Sequence, residues 1–149
     1  MNHFLILGNA GWCNIQIGRI KSRASYLTNV PIDCLEAAVD YLKNGNPIIL
    51  HFDAEGWDFT IKSFAQGATF NWNKDDEPFS FYFIKSINAN KLSEYIYKDI
   101  SSNISGWCDF LFCFDDLERE NLKSKMVLLL QELKKLLNEN EMLAEEDNN

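Results

Sequence analysis

The sequence predicts a single α+β domain with a mainly antiparallel sheet of six or seven strands, and three observations carry that prediction. Short stretches of alternating apolar and polar residues fill much of residues 1–84. The segment Pro31–Asn44 carries an apolar stripe at helical spacing. In the last third Leu122, Met126, Leu129, Leu133 and Leu136 recur every three or four residues. A chain of 149 residues buries roughly 70% of the surface its unfolded form exposes, enough for one core without staples.

The elements follow in order. Phe4–Leu7, Cys13–Ile20 and Arg23–Thr28 read as a meander, with Asn9-Ala10-Gly11 and Lys21-Ser22 as its turns. Cys13, Ile15 and Ile17 share one face, opposite Asn14, Gln16 and Gly18, and that face belongs to the core. A helix is expected after these three strands, because Pro31 suits a first helical position, Asp33 and Glu36 favour the positive end of the dipole, and Gly45 stops it. Its stripe of Cys34, Leu35, Ala38, Val39 and Leu42 covers a sheet. Ile48–Phe52 reads as a compact buried strand containing His51, and Asp53-Ala54-Glu55-Gly56 as a tight turn into the strand Trp57–Phe64. Thr69–Trp72 and Phe79–Ile84 are further strands, separated by the polar loop Asn73–Pro78.

The C-terminal third reads as helices. Asn90–Ile100 places Leu92, Tyr95, Ile96 and Asp99 at helical offsets. Ser101-Ser102-Asn103 is a linker, and Trp107–Phe114 fits either a last strand or a helix start and is assigned to the strand. Asp115 and Asp116 cap a helix that runs to about Asn138. The domain is therefore residues 1–138, and residues 139–149, with five acids and no base, form an acidic tail expected to be disordered.

Composition narrows the function. With 22 acids against 14 bases the net charge is −8, which lacks the basic stripe that nucleic acid or anionic lipid requires. No apolar run is long enough to span a membrane, and the start lacks a basic region and apolar core of the secretory kind, so a cytoplasmic location is expected. Cys13, Cys34, Cys108 and Cys113 include no Cys-x-x-Cys pair and read as free thiols. Neither a metal nor a cofactor is expected: His3 and His51 are the only histidines, and the seven glycines form no phosphate cradle.

Catalytic arrangements find little support. His3 lies too close to the terminus for a rigid base, and pairing Cys34 or Cys108 with His51 needs a depressed thiol pKa without cations to depress it. Asp53, Glu55 and Asp58 bracket a turn, where two carboxylates can face each other as glycosidic chemistry requires, but nothing around them suggests a desolvated pocket. The chain is expected not to be an enzyme.

Charge distribution is the remaining signal. Residues 1–30 hold three bases and no acid, leaving 11 bases against 22 acids beyond them. The acids gather as Asp53, Glu55 and Asp58; as Asp75, Asp76 and Glu77; and as Asp115, Asp116 and Glu118. Turn chemistry, a solvated loop and a helix dipole account for each cluster separately. Together they form candidate sites for a basic protein surface, with Trp57 or Trp72 as aromatic anchors.

In size, acidity and α+β pattern the chain resembles the small cytosolic immunity proteins that bacteria carry against secreted toxins, including those of contact-dependent growth inhibition. Its 16 asparagines, with abundant Ile and Lys, fit the AT-rich coding of such modules. The resemblance implies an antitoxin, monomeric when free, that blocks the basic active site of a cognate toxin, most plausibly a nuclease. Those families share no single fold, so no residue role carries over. An adaptor dimerising through the Leu122–Leu136 stripe and a small enzyme using His51 are the alternative readings.

Overall fold

The computed structural model describes residues 1–73, 80–112 and 115–148. It is an α+β fold of four helices and seven strands among those residues, in the order β1 (Leu5–Leu7), β2 (Trp12–Ile17), β3 (Ile20–Ser25), α1 (Val30–Asn44), β4 (Ile48–Asp53), β5 (Asp58–Phe64), β6 (Gly67–Asn73), β7 (Ser80–Ile84), α2 (Ala89–Ser101), α3 (Ile104–Phe110) and α4 (Asp116–Asp147). The strands form two antiparallel sheets, β1-β2-β3 and β4-β5-β6-β7, where the sequence predicts one. Helix α1 intervenes between β3 and β4, and these two edges approach each other without joining in a ladder.

The β2–β3 hairpin turns at Gly18-Arg19, with Ile17 opposite Ile20, rather than at Lys21-Ser22. Gly18 has φ +60°, a conformation open to glycine without a Cβ clash, and this decides where the chain reverses. Strand β4 is not buried throughout. Ile48, Leu50 and Phe52 point into the core, while Ile49 and His51 alternate outward into solvent.

Helix α1 begins at the Asn29 cap, whose side chain accepts from the Ile32 N–H. It ends at Gly45, which donates its N–H to the Tyr41 carbonyl from a left-handed conformation. Its buried stripe packs on β4 and against α2 and α4. The core beneath holds a column of aromatic rings: Phe52 stacks on Phe59 at 5.0 Å and Phe59 on Phe70 at 5.1 Å.

Two further expectations are corrected at the C-terminal end. Residues Ile104–Phe110 are the helix α3, not a strand, started by Asn103, whose side chain accepts from the Gly106 N–H. Trp107, Cys108 and Phe110 bury one side of this short helix, and three apolar residues that close together satisfy either period. Helix α4 continues past Asn138 to Asp147, and residues 141–147 of that extension are fully on the surface. Met126, Leu130 and Leu133 are buried, and Leu122, Leu129 and Leu136 pack against the same core. The stripe that a dimeric coiled coil would need is thus used within the chain. No helix among the described residues is long and apolar enough to cross a membrane.

Candidate functional site

Strand alternation gives the four-stranded sheet two different faces. One carries Leu50, Phe52, Phe59, Ile61 and Phe70 into the core. The other faces away from the helices and presents three cross-strand rows. Ile49, Lys62, Thr69 and Phe83 form the first; His51, Thr60, Asn71 and Phe81 the second; Asp53, Asp58 and Asn73 the third. Thr69 alone among these side chains is buried, whereas Ile49, Phe81 and Phe83 are each more than half exposed. Exposed apolar side chains gathered on one surface mark a contact face more often than isolated ones do.

The acidic end of this face is built by the β4–β5 turn. Asp53 Oδ1 accepts the Glu55 N–H at 2.7 Å, a local bond that bends the chain, and Glu55 sits at φ +55° ahead of Gly56. Asp53 and Asp58 are direct cross-strand partners, two like charges set side by side at the sheet's end. His51 lies next to them: its Nδ1 is 3.0 Å from Thr60 Oγ1, and its Nε2 is 3.9 Å from Asp58 Oδ1.

The tryptophans do not join the acids. Trp57 and Trp72 lie on the opposite side of the sheet, packed edge to face at 6.4 Å, with Trp72 also against Phe70 and Tyr82. With Trp12, Lys21, Arg23 and Ala54 they line a cleft of about 330 Å³ between the two sheets. The Arg23 guanidinium lies 4.4 Å from the centre of the Trp12 ring. The aromatic anchors therefore stand among the bases of the first thirty residues, because one residue of strand register moves a side chain to the other face.

Asp115, Asp116 and Glu118 are exposed at the start of α4, in the helical layer. Asp115 caps that helix by accepting the Glu118 N–H at 2.7 Å. Nearby, Arg119 binds Asp109 and Ser105, each at 3.0 Å, so this helix start carries an ion pair as well as its acids. Asp75, Asp76 and Glu77 lie outside the described residues.

The histidine–thiol arrangement is not formed. Cys34 and Cys108 are fully buried in α1 and α3, on the other side of the sheet from His51. Burial raises the Cys34 thiol well above its ordinary range, with the neighbouring Cys13 and Asp33 adding to the effect, and pushes Cys13 up to about 12. No group of three or more His, Cys, Asp or Glu side chains among the described residues is arranged to hold a metal.

His3, expected to be a poor rigid base so close to the terminus, has a fixed partner. Its Nδ1 lies 2.8 Å from Asp99 Oδ1, while Asp99 Oδ2 accepts the Phe4 and Leu5 N–H groups at 2.7 and 3.0 Å. The Asp99 side chain is 1% exposed. A carboxylate on the apolar stripe of a predicted helix was the visible signal, since such a group is buried only with partners. With two backbone donors on it, Asp99 ties the N-terminus and β1 to α2.

Comparison with family models, with curated proteins and with solved structures finds no match to this chain.

Proposed function

We propose that this protein is a non-catalytic binding module of the immunity class, which neutralises a cognate toxin domain in the cytoplasm by covering its basic active site. The observation that carries this reading is the face of the four-stranded sheet that no described element covers. It combines a rigid backbone, a carboxylate pair at Asp53 and Asp58, polar groups at His51 and Thr60, and exposed Phe81 and Phe83. Fixed carboxylates on a sheet meet the Lys and Arg side chains of a phosphate-binding cleft without the entropy loss of a floppy acidic tail. Apolar neighbours supply the buried area that charge alone does not. A nuclease domain is the best match to these charges. Asp115, Asp116 and Glu118 form a separate surface in the helical layer and act at most as a steering field.

The test starts from the adjacent reading frames: where one encodes a large secreted protein, the C-terminal domain of that protein is the toxin to pair with this chain, and the absence of such a frame counts against the reading. Co-expression restores growth in cells producing that domain, and titration calorimetry gives a one-to-one complex. Replacing Asp53→Lys together with Asp58→Lys weakens binding by about 10- to 100-fold, chiefly through a slower, less salt-sensitive association. Unchanged affinity in the double variant, with its circular dichroism intact, overturns the acidic sheet-face reading.

A further inference from the structure

Strand β7 is the free edge of its sheet among the described residues, paired with β6 on one side and with no strand on the other. Natural edges are normally guarded by a Lys, a Pro, a bulge or an overlying element. Residues Ser80–Ile84 contain no charge and no proline, and the β6–β7 register runs without a bulge. Instead the edge displays Phe81, Tyr82 and Phe83 at 55%, 45% and 57% exposure. An aromatic, neutral, unguarded edge of this kind is a template for another strand.

Its own sequence says which strand fits. Phe81-Tyr82-Phe83 reads the same in both directions about Tyr82. We propose that two copies of this chain associate through β7, antiparallel and two-fold symmetric about Tyr82, joining their sheets into one of eight strands. In this register Phe81 of each copy stands opposite Phe83 of the other on the open face, and the two Tyr82 side chains meet on the opposite face. Every edge aromatic thereby gains an aromatic cross-strand neighbour, as an isologous contact requires. A foreign strand would need a matching sequence of its own; a second copy supplies the match by symmetry. The net charge of −8 opposes association, but none of it lies on Ser80–Ile84. The repulsion therefore acts at a distance, where salt screens it. The contact area of one short edge is small, which places the dimer in the weak, concentration-dependent class. Phe81 and Phe83 belong also to the face proposed for toxin binding, so the two associations compete; self-association is measured on the free protein, without a toxin, so its failure is told apart from failure of the binding reading.

Sedimentation velocity on the full chain tests it, over concentrations from about 1 to 200 µM, a range suited to a weak equilibrium. The weight-average mass rises with concentration from 17.2 kDa toward twice that value, and rises further as sodium chloride is added. Phe81→Lys with Phe83→Lys holds the mass at that of a single chain throughout, with circular dichroism unchanged because both rings are largely in solvent. In a Cys113→Ser background, Tyr82→Cys forms a disulfide-linked dimer under mild oxidation, since directly opposed strand residues lie about 4.5–5.5 Å apart, within disulfide reach. A wild-type mass that stays at one chain across the range overturns the proposal. So does a dimer that survives the double lysine substitution, or a Tyr82→Cys chain that fails to cross-link under conditions where the wild type sediments as a dimer.

Discussion

Replacing Asp99 with alanine removes the acceptor on which the N-terminal strand depends. The lost contacts are the Phe4 and Leu5 N–H groups, at 2.7 and 3.0 Å from Oδ2, and the His3 ring nitrogen at 2.8 Å from Oδ1. Phe4 and Leu5 are 0% and 3% exposed, so water does not readily replace the carboxylate. Two orphaned buried donors cost about 1–3 kcal/mol each. Removing the buried charge returns part of that by abolishing its desolvation, and the His3 side chain, 53% exposed, rehydrates with little loss. The net expectation is a loss of about 2–4 kcal/mol for Asp99→Ala. With a urea slope of about 2 kcal/mol/M, the unfolding midpoint falls by about 1–2 M. Asp99→Asn keeps an oxygen for both backbone donors and costs roughly 1 kcal/mol, and His3→Ala costs less than about 1 kcal/mol. The order of the three losses is the diagnostic. If His3→Ala is as damaging as Asp99→Ala, or if Asp99→Ala moves the midpoint by less than about 0.5 M, the two backbone bonds are not what anchors β1.

Two further outcomes follow from the thiols and the β4–β5 turn. Burial raises the Cys13 thiol from 9.0 to about 12 and raises Cys34 as well, so both stay protonated in the folded protein while unfolded thiols ionise. The Cys13 contribution is fully present below pH 9 and is lost as pH rises from there toward 12, by about 1.4 kcal/mol per pH unit, and Cys34 acts in the same direction. Urea melts between pH 8 and about 10.5 show a steeper decline for the wild type than for Cys13→Ala; equal slopes refute the assignment. Glu55 holds φ +55° in the turn, and Glu55→Gly relieves that conformation, raising stability by about 0.5–1 kcal/mol. Thermal melts that show destabilisation instead assign the Glu55 side chain a structural contact beyond the turn.

Local pattern made most elements legible. Pro31 and Gly45 bracket α1 because a ring-locked φ and a left-handed stop are properties of single residues. The Asp53–Gly56 turn and the alternation of β5 are equally local. The segment Trp107–Phe114 is ambiguous in sequence because a cluster of apolar residues over a short span suits either secondary structure, and the Asn103 cap that selects the helix lies outside the cluster. The candidate site was legible in composition but not in arrangement. Asp58 and Trp57 are neighbours in sequence, yet they belong to different faces and face different chemistry.

By itself, then, the sequence determined the α+β class, most of the strands, helix α1, the buried stripe of α4 and the acidic balance, since each depends on residue type and short-range spacing. Only the tertiary structure decided that the strands divide into two sheets, that the Leu122–Leu136 stripe is satisfied within the chain, and that Asp99 reaches across to the N-terminus. It also separated Asp53 and Asp58 from the tryptophans and, among the described residues, left both a sheet face and the β7 edge uncovered. The reason is physical: long-range packing determines which of two chemically possible faces is buried, and no local spacing encodes which elements will lie on the other side of it.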